Sequence, residues 1–150
     1  MLKRFFDTRD DLSLLVARLA LGIVIFPHGA QKLLGWFGGG GFSGTVGFFT
    51  EQLGLPWIVA VLIVLGESFG AASLVLGFMS RFCAFGIACI MLGGVFMVHL
   101  QNGFFMNWSG NQQGEGFEYH LLALGLAFAV MIGGGGKWSV DRAISQKLGG

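Results

Sequence analysis

Charge is what this sequence has least of. Nine Lys and Arg and eight Asp and Glu make up 11% of its 150 residues, against about 25% in a soluble domain of ordinary composition. So few charges cannot solvate a water-exposed surface of this size, so most of the outside faces something apolar. The formal net charge of +1 supplies no basic field for nucleic acid. Cysteine is scarce as well. Cys83 and Cys89 sit six apart in one apolar run, roughly 120° apart on a helix, so they cannot bridge. No CxxC occurs, which removes thiol–disulfide chemistry of the membrane-enzyme kind.

What is present is apolar and small. Hydrophobic residues reach 54% and glycines number 27, without the G-X-Y period of collagen or the polarity of a disordered linker. The length suits one compact unit. Four apolar runs approach the 20 residues that cross a bilayer: Leu12 to Leu34, Pro56 to Phe78, Phe82 to Leu100 and Phe117 to Gly135. The expected fold is all-α, an integral membrane four-helix bundle in one domain over residues 1–150. A soluble bundle would need a polar face on every helix, and Leu55 to Val64 has none. Lys3 and Arg4 before an apolar stretch resemble a signal peptide, but Asp7, Asp10, Asp11 and Arg18 do not fit one, and no A-x-A site follows. An uncleaved first span is expected.

Basic residues divide by side. Lys3, Arg4 and Arg9 precede the first run, Arg81 lies in the turn after the second, and Lys137, Arg142 and Lys147 follow the fourth. The loops 36–55 and 101–116 carry no Lys or Arg. The positive-inside rule then places both termini in the cytoplasm and both long loops outside. Lys32, at the outer edge of the first span, is the exception.

The polar residues inside the spans fall at defined depths. At about 1.5 Å per residue from the inner end, Arg18 lies roughly 9 Å up and Glu67 roughly 16 Å up, while His28, His99 and His120 all lie roughly 22–27 Å up. Lys32 and Glu118 are close to that layer. An ionised carboxylate near mid-bilayer costs at least about 2.5–3.5 kcal/mol, so Glu67 needs a partner or a cavity. Arg18 is the candidate nearest in depth, giving an expected structural ion pair between Arg18 and Glu67, with a proton-handling role for Glu67 as the alternative. In the histidine layer, His28 and Lys32 share a face at i, i+4. Donors to carbonyl oxygens beside an acid or base at the water interface are what a quinone requires. Two histidines at equal depth also resemble a bis-histidine haem set, and all three with Glu118 resemble a zinc or iron set. No ligand spacing within a helix, such as HExxH, supports either, so no metal ligand is assigned.

Glycine has two expected roles. Gly66, Gly70, Ser73 and Gly77, and Gly22 with Gly29, form small-residue stripes for close helix approach. The run 38–41 lacks the Lys and Ser/Thr of a phosphate loop. Val46, Phe49 and Leu53 share one face, which predicts a short interfacial helix over the outer mouth. Phe104, Phe105, Met106 and Trp108 suit the headgroup zone. Together the two loops are expected to form a lid on the histidine layer.

In order and spacing these residues resemble the DoxX family: Arg18 to Gly22, His28-Gly29-x-x-Lys32, Gly44-Thr45, Gly66-Glu67-x-x-Gly70, Leu76-Gly77-x-x-x-Arg81, His99-x-x-Asn102-Gly103-Phe104-Phe105, Gly116 to Tyr119, and Lys137-Trp138-Ser139-x-Asp141. The resemblance runs from about Arg18 to Ile144. It implies a DoxX-like four-helix protein of the bacterial inner membrane, associated with quinone-linked redox chemistry or oxidative stress. Arg18, His28, Lys32, Glu67, Arg81, His99 and Glu118 are the family-like positions, and the pattern does not require His120.

The expected function is a membrane oxidoreductase component that binds quinone near the outer leaflet. His28, Lys32, His99 and His120 are its candidate ligand-binding residues, and His28, His99, Glu118 and Lys32 its candidate catalytic ones. No intrinsic electron carrier is visible, so electrons would come from a redox partner protein or a bound cofactor. The rival readings are a non-catalytic anchor or assembly subunit, and a small-solute carrier. Four spans without an internal repeat are few for alternating access, unless the chain forms a homo-oligomer.

Overall fold

The structure, a computed structural model, describes residues 6–149. Lys3 and Arg4 of the basic N-terminal tail lie outside the described residues. Among those described, every regular element is helical. Helix α1 spans Leu12–Leu34. The Asp11 side chain accepts from Ser13 N to cap its start, and left-handed Gly35 donates to Ala30 O to end it. Short α2, Gly41–Gly47, runs on into a π-helical turn. Helices α3 (Trp57–Leu76) and α4 (Ser80–Asn102) form an antiparallel pair. Helix α5 covers Glu118–Gly133 and α6 covers Val140–Gly149.

Three of these helices, α1, α3 and α4, are long and apolar enough to cross a membrane. The fourth apolar run makes a shorter helix than expected. Its 16 residues rise about 24 Å, because the glycines at 133–136 leave the helix at Gly134, φ 87°, and turn back against α1. Helix α5 nevertheless packs along α4 and α1, and α1 lies in turn against α3. Leu21, Ile25, Leu74, Ile87, Met91, Leu124 and Val130 fill the centre. Large apolar side chains also cover the outside, with Phe96, Leu122 and Ile132 each more than 70% exposed. That distribution suits lipid as the solvent. Helix α2 docks on the flank, where Val46, with Phe49 from the following turn, packs on Ala60 and Val64 of α3. Val46 and Phe49 pack as the expected amphipathic face requires, whereas Leu53 is not part of this cluster and the helix lies on the flank rather than over the outer mouth.

The end of the bundle at which α1 starts and α5 ends, the terminal end, is closed by three charged side chains. Arg18 is 1% exposed and donates to the carbonyls of Leu74 (2.9 Å), Val75 (2.6 Å), Gly135 (2.7 Å), Trp138 (3.1 Å) and Lys137 (3.4 Å). Leu74 and Val75 offer two of the last carbonyls of α3, and that of Leu74 also accepts from Gly77 N at 3.1 Å. The expected Arg18–Glu67 pair therefore does not form. Carbonyls converging at the level of Arg18 use all of its donors, and Glu67 finds a nearer cation. Asp141 accepts from Met79 N and Ser80 N at 2.7 and 2.8 Å, capping α4. Arg81 donates to the carbonyls of Met131 and Ile132 at the end of α5.

Candidate functional site

The opposite end of the bundle, beneath the two long loops, gathers the remaining polar residues. Its geometry starts from a glycine. A Cβ on Gly29 would fall 2.3 Å from the carbonyl oxygen of Glu67, so only glycine lets α1 and α3 touch backbone to backbone here. At this contact α3 widens into a π-helical turn over Gly66–Gly70, a distortion common at functional sites. Ser68 Oγ lies 3.0 Å from Gly29 O and 2.7 Å from Val64 O. The close approach carries Glu67, 5% exposed, to Lys32, one turn beyond His28 on α1. Lys32 Nζ donates to Glu67 Oε2 at 2.5 Å. The cation that runs against the charge asymmetry is thus matched by a buried anion.

The stripe of small residues on α3 is only partly a contact. Gly22 and Gly29 meet the α3 backbone through Ala71, Glu67 and Ser68, whereas a side chain on Gly70 would meet nothing within 4 Å. Glu67, Ser68, Ala71 and Val75, not the α3 glycines, form the α3 side of the contact.

Of the three histidines expected at one depth, His99 and His120 meet, and His28 joins them through Tyr119. The His99 and His120 ring centroids are 4.2 Å apart, those of Tyr119 and His120 5.5 Å, and those of His28 and Tyr119 6.1 Å. His99 lies in a second π-helical turn, Val95–His99, and its Nδ1 is 2.8 Å from the carbonyl of Glu115. A carbonyl only accepts, so Nδ1 carries the proton and Nε2 is left as an acceptor when the ring is neutral. His28 is exposed on the lateral face, His99 is half-buried and His120 is buried. Two polar atoms in the layer are buried without a partner: Tyr119 Oη and His120 Nδ1. Such atoms are rare in native interiors and mark places for a bound water or ligand.

Glu118 does not join the layer as a free acid. Its Oε1 accepts from Met106 N (2.9 Å) and Trp108 Nε1 (3.0 Å), fixing the second long loop. Glu115 does the same through Asn107 N, at 2.6 Å. Tyr119 is the residue that sequence reasoning left out of the site. The available signal was its place beside His120 as the chain's one tyrosine. Among the described residues no group of three or more His, Cys, Asp or Glu is arranged to hold a metal. The contact of the His99 and His120 rings leaves no space for a porphyrin between them.

The profile of the DoxX family matches residues 13–100. The chain belongs to the DoxX family. The matched segment takes in α1 to α4, with Arg18, His28, Lys32, Glu67, Arg81 and His99, while α5 with Glu118, Tyr119 and His120 lies beyond it. The inner membrane protein YqjF of Escherichia coli K12 is 27% identical over 138 residues, 92% of this chain and 96% of that protein. The protein named putative oxidoreductase CatD, of Bacillus subtilis 168, is 28% identical over 120 residues, 80% of this chain and 79% of that one. No solved structure matches the chain significantly. Family and apolar helices make this DoxX member a multi-pass membrane protein, and the bacterial inner membrane is its location.

Proposed function

We propose that this DoxX member is a quinone- or quinol-binding component of a membrane redox system, with its site in the histidine layer near the outer leaflet. The observation that carries the reading is the pair of buried, unpartnered atoms, Tyr119 Oη and His120 Nδ1. Both can donate or accept, as the oxygens of a quinol and a quinone require. His28, exposed between Phe26 and Lys32 on the lateral face, gives a ligand with an apolar tail a way in from the lipid. In this reading all four helices span the bilayer and the termini are cytoplasmic. Arg9, Arg81, Lys137, Arg142 and Lys147 support that orientation.

His28 and His99 hold the ligand's oxygens, with Tyr119 and His120 between them. Lys32 holds Glu67, and Glu118 latches the loop, a role that replaces direct proton exchange by its carboxylate. A bound quinone supplies the two-electron chemistry, and the electrons come from a partner protein. The name of the Bacillus subtilis relative supports a redox role.

Binding of a short-tailed benzoquinone to protein in mild detergent, followed by tryptophan quenching, tests this. Each hydrogen bond lost costs about 0.5–1.5 kcal/mol, so a His28→Ala, His99→Ala double variant weakens binding by about 1–3 kcal/mol, roughly five- to 150-fold. Unchanged affinity in that variant would sink the site. The terminal-end clamps of Arg18, Arg81 and Asp141 suit the rival reading, an anchor or assembly subunit whose polar groups serve only packing. That reading predicts no binding at all.

A further inference from the structure

We propose that Glu67, buried beside the half-buried Lys32, is a proton-exchange site connected to the loop-end aqueous face through Tyr119, His120 and His99. The proposal goes beyond the quinone reading and does not require it.

Four elements place their titratable groups in one row. Helix α1 contributes Lys32 and His28, α3 contributes Glu67, α4 contributes His99, and α5 contributes Tyr119 and His120. Tyr119 stands beside the pair by way of His28, one turn before Lys32 on α1, whose ring centroid is 6.1 Å from that of Tyr119. From there the ring centroids step 5.5 Å to His120 and 4.2 Å on to His99. His99 Nδ1 then meets the carbonyl of Glu115 in the exposed second loop, where Asn102 Nδ2 donates to the same oxygen at 3.1 Å. The two middle members of the row, Tyr119 and His120, are the ones with an unpartnered buried atom. A water at each would complete a hydrogen-bonded path, and buried polar atoms in native interiors are commonly satisfied in this way. The neighbouring carboxylates, Glu115 and Glu118, are held by loop donors.

The other direction is closed. Between the pair and the terminal end lie Leu21, Ile25, Ala71 and Leu74, all at most 1% exposed, and below them Arg18 is occupied by carbonyls. Access to Glu67 is therefore one-sided. A proton arriving from the loop side converts the Glu67 carboxylate to a neutral acid and leaves Lys32 as an unpaired ammonium. Nothing is oxidised or reduced. Glu67 sits in the π-helical turn Gly66–Gly70, a distortion frequent at functional sites.

An apolar carbodiimide, which adds to a protonated carboxyl within the membrane, reads the state of Glu67 by mass spectrometry. The full-length protein is placed in quinone-free vesicles with one orientation, and the two sides are acidified separately. Acid on the loop side raises Glu67 labelling, and acid on the terminal side does not. Tyr119→Phe keeps the ring and removes the hydroxyl, and slows the loop-side response about a hundredfold. His120→Phe does the same, and Glu67→Gln abolishes labelling at that position. Equal responses from both sides, no pH response, or an unchanged rate in both Tyr119→Phe and His120→Phe would each overturn the proposal. A failure of quinone to bind leaves this experiment unaffected, so the two readings fail separately.

Discussion

Removing one member of the Lys32–Glu67 pair leaves the other charge buried without compensation. Lys32→Met should therefore lower unfolding stability in detergent by about 3 kcal/mol, and the double variant Lys32→Met, Glu67→Gln should recover most of that loss. Arg18 is independent of the pair. Arg18→Ala strips donors from the carbonyls of Leu74, Val75, Gly135 and Trp138 and should cost about 3–5 kcal/mol, with no coupling to Glu67→Gln in a double-mutant cycle. Arg18→Lys should not rescue it, because an ammonium cannot reproduce the planar fork. That Glu67 needs a partner was legible from the cost of burying its charge; which cation would serve was not. Depth along a helix is readable from residue number, but rotation about the bundle axis is set by contacts such as Gly29 against Glu67, which only the assembled pair of helices defines. The same limit hid Tyr119, whose orientation toward His28 depends on how α5 is rolled against α1.

The helices follow the hydrophobic runs closely. The first span was expected over 12–34 and is found there, and the second and third differ from expectation by two residues or fewer at each end. The fourth is shorter because the glycines at 133–136 are apolar enough to count as span, but the chain leaves the helix at Gly134 and packs them on Leu14 and Ser139. The π-helical turns at Gly66–Gly70 and Val95–His99 leave no mark in a pattern of apolar residues, since they add one residue to a turn without changing its composition. The glycine contacts separate two substitutions that look alike in sequence. Gly29→Ala drives a methyl into the α3 backbone and should cost about 1–3 kcal/mol. Gly70→Ala meets open space on a helix and should stabilise by about 0.5–1 kcal/mol. Thermal unfolding of both variants in one detergent checks the pair. At the start of α1, the Ser13 hydroxyl and then the Ser13 amide hold the Asp11 carboxyl below its ordinary 3.8. A depressed pKa means that the cap's contribution is present above that value and is lost as pH falls through the lowered one. The amide resonance of Ser13 should therefore shift only below the ordinary range of a carboxyl, and a shift centred at or above 3.8 would contradict the cap.

At the scale of the whole molecule, the two ends of the bundle use their scarce charges differently. At the terminal end Arg18, Arg81 and Asp141 satisfy backbone groups and close the helices. At the loop end Lys32 meets Glu67, His99 meets His120, and Tyr119 and His120 each keep one unsatisfied atom. Both sets belong to the same small count of charged and polar residues, and the resemblance to the DoxX family did not separate them, since Arg18 and Arg81 sit in its motifs beside His28 and His99. Their partners do separate them. The central claim is that the loop-end cluster holds a quinone, and the most direct measurement is chemical. The protein is purified from its membrane in mild detergent, its bound small molecules are extracted and identified by mass spectrometry, and a Tyr119→Phe, His120→Ala variant of equal yield is treated alongside. Stoichiometric quinone in the native protein and its loss from the variant is the predicted result. A native protein free of quinone, or equal retention by both, would contradict the account.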